Sequence, residues 1–282
     1  MTVTAAPGYG RSVHPIEHLR YVARAQGADP SSLVEETAHA LGSLHFDPSG
    51  LVVACRRIVE RHPFTGALWW LCANVVTSAE PFEAVWELAD QIRTDRTGAE
   101  LAAALPDEAV VVTIGDPDVC GAGLIRRGDV RVLALDAGFT ATSFVRRLER
   151  YDVDVEAVEA GVAGTVARHA DVVLVEALAI DSERAIVPAG SSTIAAAAAA
   201  FGTDLWIVAG VGRRLPAGYV DAMVAKLDAL ADEHDPWDLD VEAIPTSMFT
   251  HVVGPHGKVP MGPPAIVAEC PMAHELLRPS HI

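Results

Sequence analysis

The chain has 282 residues, half of them hydrophobic, so it can bury a large core in one large or two ordinary domains. Its 38 acidic and 21 basic residues give a formal net charge of -17, which argues against nucleic acid as a direct partner because phosphate binding needs clustered lysine and arginine. The apolar segments are short and interrupted by charge or glycine, so no membrane span is expected.

The beginning of the chain and its cysteines indicate the compartment. Residues 1–14 lack the apolar core of a secretory signal and predict a flexible tail. Cys55, Cys72, Cys120 and Cys270 show no close pairing in sequence, which is typical of reduced structural thiols and not of a disulfide framework or a zinc site. We therefore expect a cytoplasmic protein with no cofactor and no metal.

Residues 15–105 have a helical pattern throughout and predict an N-terminal helical domain. Apolar residues recur at helical spacing in two stretches, from Leu51 to Val59 and from Phe82 to Ala89, so each helix presents one apolar stripe. Ser32 and Glu35 have the spacing of a capping box, which predicts a helix capped by Ser32.

The most apolar part of this domain is the stretch FTGALWWLCANVV, with Trp69 and Trp70 adjacent. Neighbouring helix positions point about 100° apart, so at least one indole is expected to face a different layer, such as the following domain. We favour core packing over ligand stacking as the role of these rings.

After Pro106 the period changes, and short β-branched runs alternate with helical segments. The predicted strands are Val110–Thr113, Val130–Leu135, Val153–Val158, Val172–Val175 and Leu205–Val208. Helices are predicted at Thr142–Tyr151 and Gly161–His169. This alternation is that of a doubly wound parallel sheet. The predicted fold is α/β, with the helical bundle followed by a Rossmann-like domain over residues 106–282.

One stretch within the second domain organises the rest. The buried strand Val172–Val175 is followed by a polar excursion, after which Gly190 opens an alanine-rich helix that closes at Phe201. The strand Leu205–Val208 comes next. This unit predicts a right-handed parallel crossover whose loop lies at the carboxyl edge of the sheet, where ligands of such folds bind.

This stretch resembles the signature region of the superfamily that unites the alpha, beta and delta subunits of translation initiation factor 2B with methylthioribose-1-phosphate isomerase and ribose-1,5-bisphosphate isomerase. In that family a strand ends in Gly-Ala-Asp, and Asn-Lys later precedes a Gly-Thr that starts an alanine-rich helix. Here the three motifs fall without a gap on Glu176-Ala177-Leu178, Val187-Pro188 and Gly190-Ser191.

The resemblance covers nearly all of residues 106–282, including the closing segment VEAIPTSMFTHVVGPHG. It implies a Rossmann-like domain and an N-terminal helical domain against the edge of the sheet, so that the helix from Phe64 to Val76 borders the pocket. It also implies a homodimer formed through the sheet domain, as in other family members.

The isomerases of this superfamily use residues that this chain lacks. They carry a cysteine after the first strand and an aspartate after the fourth as acid and base. The cysteine position falls at or beside Gly115, and the aspartate position is Leu178, which can neither donate nor accept a proton. The arginine that grips phosphate in the isomerases corresponds to Gly138, and Val187-Pro188 removes the amide and ammonium donors of the family.

The backbone anion site of the family survives these losses. The helix that begins at Gly190 offers free amides and a positive dipole end, and Ser191 and Ser192 add hydroxyls, so a phosphate or carboxylate can bind there. The alternative is that these hydroxyls merely cap the helix. Glu176 faces the same edge and either accepts a ribose hydroxyl or repels anions, and Arg184 could neutralise it.

We therefore expect an initiation factor 2B-like protein that is non-catalytic and senses a phosphorylated metabolite or nucleotide. The predicted ligand-binding residues at the sheet edge are Gly115, Asp136, Arg184, Gly190, Ser191 and Ser192. Because several acids line this edge, a second phosphate would be opposed, and we expect a monophosphate.

Parts of the pattern are compatible with three other functions. An isomerase or other sugar-phosphate enzyme, converting an aldose to a ketose, would use Cys120 with either Glu176 or Asp116 as relocated catalytic groups. A structural subunit of a larger complex needs no pocket. Nicotinamide binding, suggested by Asp136 and the glycines near Gly115, is disfavoured because no Gly-x-Gly-x-x-Gly directly follows the first strand.

Overall fold

A computed structural model describes residues 30–43, 50–136, 141–262 and 265–278. The N-terminal part is helical, as predicted. Its helices are α1 (Pro30–Gly42), α2 (Leu51–Arg61), α3 (Gly66–Thr77), α4 (Pro81–Arg93) and α5 (Thr97–Ala104). Helix α1 starts at Pro30, so Ser32 lies inside its first turn and the predicted capping box is wrong.

The second part is built on a seven-stranded sheet. Its strands are β1 (Val110–Ile114), β2 (Arg131–Asp136), β3 (Asp154–Glu159), β4 (Val172–Glu176), β7 (Asp204–Val208), β9 (His251–Gly254) and β10 (Gly257–Pro260). Apart from the antiparallel pair of β9 and β10, neighbouring strands are parallel. All five predicted strands are therefore present, each within one residue of its expected position.

Helices connect these strands on both faces of the sheet. They are α6 (Asp118–Arg127), α7 (Ala141–Glu149), α8 (Ala163–His169), α9 (Ser191–Phe201) and α10 (Ala217–Glu233). The strand order is β10-β9-β7-β4-β1-β2-β3, so the chain leaves β1 in one direction and returns to its other side at β4. The point between β1 and β4 is the topological switch point, where ligands of doubly wound sheets bind.

A second, smaller sheet was not predicted. It consists of β5 (Ala179–Ile180), β6 (Arg184–Pro188) and β8 (Val241–Pro245), joined in the order β5-β6-β8 by antiparallel pairing. The polar excursion of the signature stretch is thus a short hairpin, and the predicted closing strand is divided between β8 in this sheet and β9 in the main sheet.

The helical bundle packs directly on the second part of the chain. The core of the bundle includes Tyr219 and Met223 of α10 and Leu276 near the C-terminal end. Within it, the indole of Trp69 lies 5.1 Å from the ring of Tyr219. Trp70 donates a hydrogen bond of 3.2 Å to the carbonyl of Glu269. Both indoles are buried and face the following domain, which makes them core residues.

The described residues contain no helix long and apolar enough to cross a membrane. All four cysteines are buried and free. Burial raises the pKa of the Cys72 thiol well above its usual range, and a hydrogen bond with Cys55 adds to this shift. Buried thiols of this kind contribute to the core as small apolar groups.

Candidate functional site

The switch point between β1 and β4 holds a buried carboxylate. Glu176 ends β4 and is only 5% exposed. The amide of Cys120, in the first turn of α6, donates a hydrogen bond of 2.9 Å to its Oε2 atom, and the amide of Val119 also bonds to the carboxylate. Glu176 therefore occupies the amino end of α6, where the helix offers free amides and a positive dipole end.

Burial determines the protonation of this pair. It raises the pKa of the Glu176 carboxyl, and the charge of Arg213 together with the amide bonds from α6 works against that rise. Burial also raises the pKa of the fully buried Cys120 thiol well above its usual range, and the charge of Glu176 raises it further. The thiol is therefore neutral and a poor nucleophile or base.

The loop after β7 is a part of the site that the sequence analysis missed. It runs from Ala209 to Leu215 with the sequence AGVGRRL and carries Arg213, which is 3% exposed. The Nη1 atom of Arg213 has no hydrogen-bond partner among the described residues. The available signal was the pair of glycines at 210 and 212 followed by two arginines directly after a buried strand.

The glycines of this loop are needed for its close approach to the bundle. A Cβ atom on Gly210 would lie 2.7 Å from Oδ2 of Asp95, and one on Gly212 would lie 3.1 Å from the ring of Trp70. Asp95 accepts hydrogen bonds from the amide of Val211 at 2.9 Å and from the amide of Thr97 at 2.8 Å. The carboxylate thereby joins the loop to the amino end of α5.

The predicted anion site at the start of α9 is occupied by a side chain of the protein. Gly190 has the left-handed conformation, with φ of 89°, that places the following amides at the helix end. The amide of Ser192 donates a hydrogen bond of 2.8 Å to Oε1 of Glu242 in β8, and its hydroxyl donates one of 2.7 Å to Oε2. The hydroxyl of buried Ser191 instead donates to the carbonyl of Pro188 at 2.7 Å.

A fourth carboxylate, that of Glu269, also accepts a hydrogen bond from a backbone amide at this edge. Glu269 accepts a hydrogen bond of 2.7 Å from the amide of Gly212 and lies 3.0 Å from the guanidinium of Arg214. Burial raises the pKa of Glu269, and the charge of Arg214 partly offsets the rise. Four carboxylates therefore accept hydrogen bonds from backbone amides around the carboxyl edge of the sheet: those of Glu176, Asp95, Glu242 and Glu269.

Helix α3 closes the same edge from the side of the bundle. The amide of Gly66 donates a hydrogen bond of 3.0 Å to the carbonyl of Leu178, at the position of the isomerase aspartate. A Cβ atom on Gly66 would lie 2.4 Å from that oxygen, so this contact depends on glycine. The amide of Leu178 is itself bonded to the carbonyl of Ile186. The backbone of Leu178 is thus tied to both the bundle and the smaller sheet, and its apolar side chain packs against the core of the bundle.

The other predicted site residues are dispersed. Asp116 accepts a hydrogen bond of 2.6 Å from Ser143 and pairs with Arg147 at 2.9 Å, on the side of α7. Gly115 follows β1 with a positive φ of 74°. Asp136 ends β2 and accepts a hydrogen bond of 3.3 Å from an amide of α7.

Arg184 does not neutralise Glu176 as expected. It lies in β6 of the smaller sheet, where it pairs with Asp181 and Asp221. The arginine whose charge acts on Glu176 is Arg213 of the loop after β7. Gly138, at the position of the isomerase arginine, falls outside the described residues.

Comparisons with known proteins identify the fold. No protein-family model matches the chain, and no curated protein sequence is significantly similar to it. Among solved structures, translation initiation factor eIF-2B of Pyrococcus horikoshii OT3 has a TM-score of 0.74 at 14% identity, covering 90% of this chain and 98% of that one. The beta subunit of eIF2B from Chaetomium thermophilum has a TM-score of 0.65 at 13% identity, covering 88% and 86%.

A third similar structure is the tetrameric eIF2B-beta2-delta2 complex from C. thermophilum, with a TM-score of 0.66 at 12% identity over 87% of this chain and 90% of that one. At such identities the similarity establishes the fold. This chain therefore has the fold of initiation factor 2B subunits, and the resemblance predicted from the signature stretch is confirmed at that level.

Proposed function

We propose that this chain is a non-catalytic, initiation factor 2B-like protein of the cytoplasm that acts by binding other protein subunits. The observation that carries the proposal is the occupation of the sheet edge by the carboxylates of Glu176, Glu242, Asp95 and Glu269. Since these amides already donate to carboxylates of the protein, they are not available to bind a substrate phosphate.

The isomerase alternative is disfavoured by the same geometry. Cys120 and Glu176 do lie together, but the thiol is fully buried and its pKa is raised, so it stays neutral. Asp116 is bound to Arg147 on another side of the switch point. A proton shuttle needs two groups on either side of the reacting carbons, and buried groups in direct contact leave no space for a sugar between them.

Binding of another subunit is supported by the outward face of α9. This helix contains no charged residue, although 21% of the chain is charged. Its exposed positions are Thr193, Ala196, Ala199, Ala200 and Phe201. Phe201 is 50% exposed, and Val162 beside the packed helix α8 is 40% exposed. An uncharged face with large apolar side chains is typical of a subunit interface, and we assign it to a two-fold contact with a second copy.

Sensing of a phosphorylated metabolite or nucleotide is a second candidate, favoured by one observation. Glu242 is only half-buried, and its carboxylate is bonded to Ser192. A ligand phosphate can therefore compete with it for the start of α9, where the dipole returns about 0.3–1 kcal/mol per charge and tolerates roughly one anionic group. Under this second function the ligand is a monophosphate.

A thermal-shift screen of mono- and bisphosphorylated sugars and nucleotides tests the two candidates. The assembly function predicts no rise in Tm beyond that given by sodium chloride of equal ionic strength. A rise with monophosphates that Ser192→Asp abolishes would establish the sensing function instead. Larger stabilisation by bisphosphates would contradict both, because the carboxylates at this edge repel a second phosphate.

A further inference from the structure

A groove lies between α6 and α7. It has a volume of about 460 Å³ and is lined by Asp118, Ala122, Ile125, Arg147, Arg150 and Tyr151. Ala122 and Ile125 give it apolar walls, and the ring of Tyr151 is 62% exposed at its rim. Since binding pockets for drug-sized molecules span roughly 300–1,000 Å³, one large aromatic side chain fits here.

The groove and the surface beside it carry equal numbers of acids and bases in a strongly acidic protein: Asp116, Asp118 and Glu149 against Arg146, Arg147 and Arg150. Arg147 is held by Asp116 at 2.9 Å and balances Asp118 at 3.9 Å. Arg150, and Arg146 on the adjacent surface, have no ion pair with any carboxylate in the described ranges, although acids outnumber bases 38 to 21. The groove therefore presents cations next to apolar and aromatic surface.

The chain also exposes a segment with the complementary chemistry. Residues 235–240 have the sequence DPWDLD, and Trp237 within them is 79% exposed on a short 3-10 turn. The carboxylates of Asp235, Asp238 and Asp240 form no ion pair with the described part of the molecule. Tryptophan and arginine dominate the binding energy of contacts between proteins. An exposed tryptophan next to unpaired carboxylates is therefore suited to a partner surface that offers arginine.

We propose that this groove binds the segment Asp235–Asp240 of a second copy of the chain, with Trp237 inserted beside Tyr151 and the flanking carboxylates against Arg150 and Arg146. The inference rests on the proposed assembly function and adds a contact separate from the α9 face. The groove and the segment are different surfaces of the chain. Each copy can therefore bind the segment of one neighbour in its groove and insert its own segment into the groove of another. Pairing of the segment's carboxylates with Arg150 and Arg146 favours the contact, and salt weakens this pairing.

Sedimentation velocity over a range of protein concentrations tests the contact. Wild-type protein should form species larger than the dimer made by the α9 face. Arg150→Glu and Asp238→Arg should each weaken this association at least about 10-fold, and Trp237→Ala about 30-fold, as for a tryptophan at the centre of an interface. The double variant Arg150→Glu with Asp238→Arg should restore association, because the charges are exchanged.

Arg57→Glu is the matched control, since Arg57 is an exposed arginine on the bundle, and it should associate like the wild type. Thermal unfolding verifies that each variant is folded. The contact is refuted if no species larger than the dimer forms, if the single charge reversals have no effect, or if the double variant fails to recover. Phe201→Glu separates the two proposals, because it removes the dimer and leaves the binding of Trp237 in the groove intact.

Discussion

Glu242 allows a test of whether a side chain of the protein itself occupies the amides at the start of α9. Replacing Glu242 by alanine removes two hydrogen bonds, of 2.8 and 2.7 Å, from the amide and hydroxyl of Ser192. Removing a helix cap costs about 0.5–2 kcal/mol, and the favourable interaction of the charge with the helix dipole is also lost. Because Glu242 is half-buried, we expect a loss of about 1–2 kcal/mol in the free energy of unfolding.

This loss is measurable as a fall in Tm of roughly 2–6 °C for a domain of this size. The matched control is Glu87→Ala on the solvent face of α4, which should change Tm by less than about 1 °C. Glu242→Ala should also expose the amides to external anions. With about 50 mM inorganic phosphate and a Kd of roughly 10 mM, binding would return about 1 kcal/mol.

The predicted result is that phosphate raises the Tm of Glu242→Ala more than that of the wild type, relative to sodium chloride at equal ionic strength. If phosphate raised the Tm of the two proteins equally, Glu242 would not compete with phosphate for the start of α9. An unchanged Tm in Glu242→Ala without phosphate would show that the carboxylate contributes nothing to the helix end.

Two further predictions concern the interface and the buried acid. In the Arg150→Glu background, which weakens the groove contact, Phe201→Glu should turn the homodimer into a monomer in light scattering at micromolar concentration, whereas Val53→Glu in the same background, at 41% exposure on the bundle, should not. A wild-type monomer would refute the interface. Burial raises the pKa of Glu176 from its usual 4.5, so its contribution to stability falls as pH rises through the interval above that value. Urea unfolding should therefore show Glu176→Gln gaining stability relative to wild type as the pH rises above 4.5, and a constant difference would contradict a raised pKa.

The sequence predicted the parts of the fold that depend on local patterns. Runs such as Val172–Val175 are β-branched and apolar because both faces of a parallel strand are buried, so they were recognised. The strand Arg184–Pro188 was missed, since its partner strand β8 begins at Val241, more than 50 residues later, and its own pattern is too short to stand out.

The candidate site was predictable only where a motif fixes the backbone. Gly190 correctly marked the start of α9 because a glycine adopts the left-handed conformation there. The carboxylate that fills this helix end comes from Glu242, 50 residues away from Ser192, and no local signal connects the two. For the same reason Arg184, close in sequence to Glu176, was chosen as its partner in place of the distant Arg213.

A phosphorus NMR time course with ribose 1,5-bisphosphate and, separately, methylthioribose 1-phosphate tests whether the protein is non-catalytic. We expect conversion to the ketose no faster than without protein, because Leu178 has no group that transfers a proton and Cys120 is buried and neutral. Turnover that Cys120→Ser abolishes would contradict the account and establish the protein as an isomerase.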